Sequence, residues 1–311
     1  MQHPHRFHPV LLAGLAVVGL AIVGAWLGRL HWLGDLLALV VDYSLAVALL
    51  LLLAFGWRRA WRWGGIAALM VGLAGAQIAS YPRVEPEAPP ATERTVRLLV
   101  YNLYHLNPDL DAVVATVRRY DPDIVFLMEY SDAVQGQIEG AFADYPHRLI
   151  RPSRFTMGLA LFSRLPIEAA EVHRAEETRI PVFEARLLAG DKSFTFVGGH
   201  PWPPRLQWGA LHRGQMGAIT RVAAAAEPPL LVAGDFNAAP WSHTVRELAE
   251  RSEVRLVRRQ LDLTKTFYPF PGFGLPLDHV LVSDTWQVLA MEYGPPGGSD
   301  HAPLIVDLRL A

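Results

Sequence analysis

The first quarter of the chain is nearly free of charge, and that limits what it can build. Val10 to Leu27, Tyr43 to Gly56 and Gly64 to Ser80 contain no Asp, Glu, Lys or Arg. With its flanks, each stretch approaches the roughly 20 residues that cross a bilayer as a helix. Trp26, Trp32, Trp57, Trp61 and Trp63 stand at the ends of these stretches, where indole favours the membrane interface. Buried helices of a large soluble core would be as apolar, but three in succession with tryptophan at their ends favour the membrane. The expectation is a membrane anchor over residues 1–80, a bundle of about three transmembrane helices. Asp35 and Asp42 make the second span the least regular. Arg58, Arg59 and Arg62 crowd the connection after it, which the positive-inside rule places in the cytoplasm. Everything after Ser80 is then expected on the extracytoplasmic side, and Arg6 in the tail agrees.

Residues 81–95 read YPRVEPEAPPATERT, a proline-rich, charged linker without apolar periodicity. Residues 96–311 are the size of one further domain. There, 21 Lys and Arg face 25 Asp and Glu, so no broad basic face for nucleic acid is evident. The chain has no cysteine, which excludes thiolate metal sites, cysteine nucleophiles and disulfides.

The strongest apolar runs in residues 96–311 are Val96–Tyr101, Asp123–Met128, Gly158–Ser163, Val182–Leu188, Phe194–Val197, Pro229–Ala233, Asp278–Val282 and Leu304–Leu308. Each is short enough to be a strand. Helical spacing appears at Asp111–Tyr120, Ala133–Phe142 and about Leu206–Ala225. Helices mixed with direct strand–strand runs indicate an α/β domain with a mixed or largely antiparallel core. Nearly every strong strand is bounded by a polar residue: Asn102, Glu129, His200, Asp235 with Asn237, Asp278, and Asp300 with His301. Taken singly, each reads as a turn, a cap or a solvated end. Carboxylates repeatedly set at the rim of a buried sheet instead point to metal, proton or phosphate chemistry.

The series Tyr101-Asn102, Met128-Glu129, Gly199-His200, Gly234-Asp235-Phe236-Asn237, Leu277-Asp278-His279 and Gly298-Ser299-Asp300-His301 resembles the endonuclease/exonuclease/phosphatase superfamily, the deoxyribonuclease I-like proteins. The apolar leader is similar to that of membrane-anchored bacterial members. The resemblance implies a four-layered α/β sandwich of two mixed sheets flanked by helices, and a catalytic domain over residues 96–311. It implies a Mg2+-dependent (or Mn2+-dependent) phosphoesterase that hydrolyses a phosphodiester or phosphomonoester by in-line attack of water.

Oxygen ligands suit a hard cation, so Glu129 is the natural metal ligand, with Asn102 and Asp300 beside it. The resemblance gives Asp235 the attacking water, Asn237 and His301 the phosphate, Asp278 the orientation of His301, and His200 a phosphate or general-acid role. Asn107 recurs in relatives and would shape the metal loop or contact substrate. Trp202, in Pro201-Trp202-Pro203-Pro204, reads as part of a rigid turn, or as a wall of the substrate site beside Trp208. Ala302 departs from the family, standing where many membrane-anchored relatives carry arginine. The expected substrate is a nucleic acid, a phospholipid headgroup or a small phosphoester. The bilayer is the expected partner, with no obligate protein partner, and the bacterial inner membrane the expected location, with the catalytic domain periplasmic. A DNA endonuclease with the same mechanism and a non-catalytic membrane-bound binding module are the competing readings; the second would be expected to have lost Glu129, Asp235 or His301.

Overall fold

The apolar runs become the central strands of two mixed sheets in the computed structural model, which describes residues 9–87, 95–175 and 179–310. One sheet has six strands in the order β14 (Trp286–Tyr293), β15 (Leu304–Leu310), β2 (Val96–Asn102), β3 (Ile124–Met128), β5 (Leu159–Ser163) and β4 (His147–Arg151). The other has seven, in the order β1 (Arg83–Val84), β10 (Val254–Val257), β13 (Asp278–Ser283), β9 (Leu230–Asp235), β8 (Lys192–Gly199), β7 (Pro181–Ala189) and β6 (Ile167–Arg174). A separate hairpin joins β11 (Phe267–Phe270) to β12 (Phe273–Leu275).

The sheets pack face to face. Leu98, Val100 and Phe126 from the first share one core with Phe183, Phe196 and Leu231 from the second. Helices α5 (Leu110–Tyr120) and α6 (Asp132–Ile138) cover the outer face of the six-stranded sheet through Val113, Val117 and Val134. Helices α7 (Gly209–Ala225) and α8 (His243–Arg251) cover the other through Met216, Ile219 and Leu248. Strands covered on both faces are apolar nearly throughout, which is why β3 and β9 read as runs rather than alternations, while β2 is interrupted before its terminal Asn102 only by Arg97, which pairs with Asp307 on β15. Local chemistry agrees with these boundaries. The Asp109 carboxylate accepts the Ala112 amide at the start of α5, and Asp121 ends that helix in the left-handed region. The expected four-layered sandwich is the fold.

The amino-terminal helices are α1 (Pro9–Trp26), α2 (Trp32–Ala38), α3 (Val41–Trp57) and α4 (Trp61–Ala79). The expected bundle of three spans needs correction. Among the described residues one helix, Pro9–Arg29, is long and apolar enough to cross a membrane. The second stretch is broken: α2 and α3 meet at a bend of 62° and pass only when counted together. The third, α4, does not pass; Arg62 lies in its first turn and Gln77 in its last.

These helices share a core with the sandwich rather than standing apart from it. Ala25, Ala38 and Val41 belong to the cluster that holds Ile219, Trp241 and Leu281. Asp35, buried in α2, accepts the amides of His243 and Thr244 and pairs with Arg213 at 2.7 Å. Trp241 donates its indole N–H to the Ala38 carbonyl at 2.7 Å. Tyr43 donates its hydroxyl to the Gly274 carbonyl at 2.8 Å and accepts the Gly274 amide at 3.0 Å, while Asp42 pairs with Lys265. Of the expected linker, Arg83 and Val84 form β1, parallel to β10. Residues 88–94 lie outside the described residues, as does Arg6.

Candidate active site

Strand direction gathers the polar residues. β2 and β3 run parallel with Asn102 opposite Met128, so Asn102 and the following Glu129 emerge at one rim. In the facing sheet β8 and β9 also run parallel, and deliver His200 and Asp235 together. β13 runs antiparallel to β9 and begins where β9 ends, with Asp278 opposite Asp235. The loop before β15 brings Asp300 and His301 to the same place. Its backbone is tied down by the Phe267–His301 bridge, by Tyr268 N–H to the Asp300 carbonyl at 2.7 Å, and by Ala302 N–H to the Thr266 carbonyl at 2.7 Å.

Asp235 is at the centre and is 1% exposed. Its Oδ2 lies 3.3 Å from His200 Nε2, 3.6 Å from His301 Nε2 and 3.0 Å from the amide nitrogen of Asn102, which donates to it. Burial alone would raise the Asp235 pKa. The charge of His301 and the hydrogen bond from His200 outweigh it and hold the carboxyl well below the usual carboxylate range. Burial opposes charging of both imidazoles, yet the carboxylates prevail: Asp278 and Asp235 push His301 up to about 9, and Asp235 also raises His200. Asp278 meets His301 Nδ1 at 2.8 Å and fixes that ring; burial raises its own pKa, with His301 pulling the other way. Burial also raises Asp300, with Glu129 adding to it.

Glu129 has φ +56° and Asn237 φ +48°, both left-handed, each just past the end of a central strand. Each held there carries a local backbone cost at the site. The Asn237 side chain donates to the Pro201 carbonyl at 3.0 Å and lies 3.3 Å from His200 Nε2. Glu129 Oε2 accepts the His105 amide at 2.9 Å and meets the His105 ring at 2.8 Å.

These groups line one end of a cleft of about 990 Å³, with Glu129, His200, Asp235, Asn237, Asp300 and His301 on its surface. Asp278 stands behind His301 rather than in the cleft, and Asn102 lies beneath it. Trp202 lines the cleft, with its ring centroid 5.3 Å from that of Trp208. Its amide donates to Gln215 at 2.7 Å and its carbonyl accepts from His212 at 2.7 Å, which fixes the turn. Asn107 is not at the cleft: it donates to the carbonyls of Leu103 and Gly297 and braces the loop below. His105 escaped sequence reading because it ends no strand, and Phe267 because its strand is a short, exposed hairpin.

Glu129 and Asp300 both line the cleft and present carboxylate oxygens of the kind a hard divalent cation takes. Asn102 presents its amide nitrogen to Glu129 and Asp235, while its oxygen accepts the Tyr104 amide at 3.0 Å. It therefore supports these carboxylates as a donor. Asp235, Asp278 and His301 also bring ligand atoms within 4.8 Å of one another, but the Nδ1 of His301 is taken by Asp278.

A sandwich of two mixed sheets with a carboxylate–histidine cluster at one rim is the architecture of a metal-dependent phosphoesterase. The chain belongs to the endonuclease/exonuclease/phosphatase family, whose model matches residues 99–301. Members of this family are phosphodiesterase, nuclease and phosphatase hydrolases that depend on divalent metal. The fold is similar to that of D. rerio TDP2 complexed with single strand DNA product, at 15% identity and a TM-score of 0.60, covering 70% of this chain and 100% of that one. It is also similar to the human Nocturnin catalytic domain with bound sulfate anion, at 18% identity and a TM-score of 0.56, covering 70% and 95%. A third similar structure is an endonuclease/exonuclease/phosphatase from Beutenbergia cavernae, at 16% identity and a TM-score of 0.56, covering 70% and 72%. At these identities the likeness is one of fold. No curated protein sequence is a significant match to the chain.

Proposed function

We propose that the protein is a Mg2+-dependent phosphoesterase attached to a membrane through its amino-terminal helical layer, and that it hydrolyses a phosphoester by in-line attack of water. The observation that carries this reading is the buried Asp235 carboxylate, held anionic between His200 and His301 at the end of the cleft. A carboxylate of such low proton affinity is foremost a hydrogen-bond acceptor, and it would orient the attacking water. His301, kept charged by Asp278 and Asp235, would donate to a phosphoryl oxygen on which charge develops. His200 would supply a second donor, with Asn237 holding its edge. Glu129 and Asp300 would hold the cation, which offsets charge on the phosphoryl group when bound. The apolar α1 supports the membrane attachment.

The test is turnover of bis(p-nitrophenyl) phosphate, plasmid DNA and phospholipid by the full chain, with Mg2+ or with EDTA. Loss of turnover in EDTA and in Asp235→Ala and His301→Ala is expected. Activity that survives chelation or either substitution would refute the mechanism.

A further inference from the structure

One wall of the cleft is not made by the sandwich alone. Leu39, from the bend between α2 and α3, lines it together with Leu275 and Leu277. Leu39 is 9% exposed and packs within the core that joins the helical layer to the sandwich. Leu39 thus brings the helical layer, α1 to α4, into the cleft wall at one point. Those helices carry large bare aliphatic side chains: Val17 and Leu20 in α1 are 66% and 73% exposed, and Leu50 and Leu53 in α3 are 66% and 69% exposed. Aliphatic surface of that extent on neighbouring helices suits hydrocarbon rather than water. Elsewhere the cleft is lined by Arg151, Arg174, Arg179 and Arg205, cations that suit phosphate. One opening thus offers a polar reaction centre, guanidinium groups and a hydrocarbon wall shared with the helical layer.

We propose that the substrate is an amphiphilic phosphoester of the bilayer, with its phosphate at the Asp235–His301 cluster and its hydrocarbon chain against Leu39, Leu275 and Leu277. This rests on the phosphoesterase reading for which bond is broken, but the chain-binding wall stands on its own geometry. A nucleic acid would use the same guanidinium groups but would have no use for Leu39. The wall is specific to a ligand with a tail.

The test is calorimetric titration of the full chain in nanodiscs with EDTA present, using methyl-, butyl-, hexyl- and octylphosphonate, with empty nanodiscs as the blank for partitioning. Affinity is expected to rise with chain length, by up to about fourfold per methylene where the tail is fully buried. Leu39→Asn and Leu275→Asn, which keep the branched shape but replace the methyl groups by an amide, should flatten that rise and weaken octylphosphonate by about tenfold. Equal affinity along the series would overturn the proposal. So would a loss in both variants that is uniform at every length, or a single-stranded oligonucleotide that binds while octylphosphonate does not. Turnover of bis(p-nitrophenyl) phosphate that requires Asp235 keeps the phosphoesterase reading even if the series is flat. A steep series without turnover of any phosphoester sinks that reading and leaves the chain-binding wall.

Discussion

Asp278 never reaches the cleft, yet it sets the proton affinity of a residue that does. Its Oδ2 meets His301 Nδ1 at 2.8 Å, and its charge is the leading influence that raises the imidazole to about 9. Asp278→Asn keeps the shape and removes the charge. The expected result is a fall in kcat of about 10²- to 10⁴-fold, the range of a lost acid–base contribution, with little change in KM. The alkaline limb of the kcat profile should also move to lower pH, because His301 then loses its proton sooner; an unmoved limb would place the limiting ionisation elsewhere. His279, the next residue, behaves oppositely. Burial pushes its pKa down to about 4 while its Nε2 donates to the Ala238 carbonyl at 2.7 Å. Below about pH 6.5 the unfolded chain takes up the proton that folded His279 refuses, so stability is lost as pH falls from there towards 4, by up to about 3 kcal/mol. His301 works in the other window: its raised pKa contributes stability that is full below about 6.5 and lost as pH rises through 9. Denaturant midpoints measured in EDTA should therefore fall on both sides of near-neutral pH, and His279→Gln should flatten the acid side only.

Among the elements, the β11–β12 hairpin links the helical layer to the reaction centre. Tyr43 grips Gly274 through both backbone groups and stacks on Phe273 at 5.1 Å, while Phe267 bridges to His301 with ring centroids 4.8 Å apart. Thr266 accepts the amides of Leu277 and Asp278 at 3.0 Å each, so the hairpin base also fixes the start of β13. Tyr43→Phe keeps the ring and deletes both hydrogen bonds, at a cost of about 1–3 kcal/mol. Faster hydrogen exchange over 267–275 and a several-fold lower kcat are expected; exchange that does not change would show that the helical layer does not brace the hairpin. This hairpin was hidden from the sequence for a physical reason. Phe270 is 59% exposed and Tyr268 43%, so no buried face imposes a period on the segment. The same holds for the edge strands β4 and β6, whose positions are partly or fully exposed without a regular period. By contrast β2, β3 and β9 lie between covering layers and are apolar at nearly every position before their ends, which made those ends, and so the catalytic rim, legible. His105 and the cleft wall at Leu39 depend on which loops and layers meet in space, and no run or spacing announces that.

At the scale of the whole molecule, the apolar leader is more than an attachment. A helix that only spans lipid needs no buried carboxylate, but Asp35 is 1% exposed and satisfied by Arg213 and by two amides at the start of α8. Removing residues 1–80 would leave Arg213 without that partner, free the Trp241 indole and uncover the cluster around Met216, Ile219 and Leu248. Removing residues 1–95 would in addition strip β1 from β10 and open that sheet edge. With the layer gone Arg213 faces water, so the main loss is apolar burial at about 25 cal/mol per Å² uncovered, and each kcal/mol moves the melting point of a domain this size by about 2–4 °C. The expected order of thermal stability is therefore full chain, then residues 81–311, then residues 96–311, with the first step the larger. Asp35→Ala in the full chain should lower the melting point by a smaller step without deleting any helix, because it leaves Arg213 and two amides of α8 unsatisfied. If the three forms melt together, the helical layer is a passive tether and the cleft wall at Leu39 has no rigid support. If they separate in the stated order, the catalytic domain and its apolar leader form one folded unit, and substrate would reach the cleft beside the helices that hold it in shape.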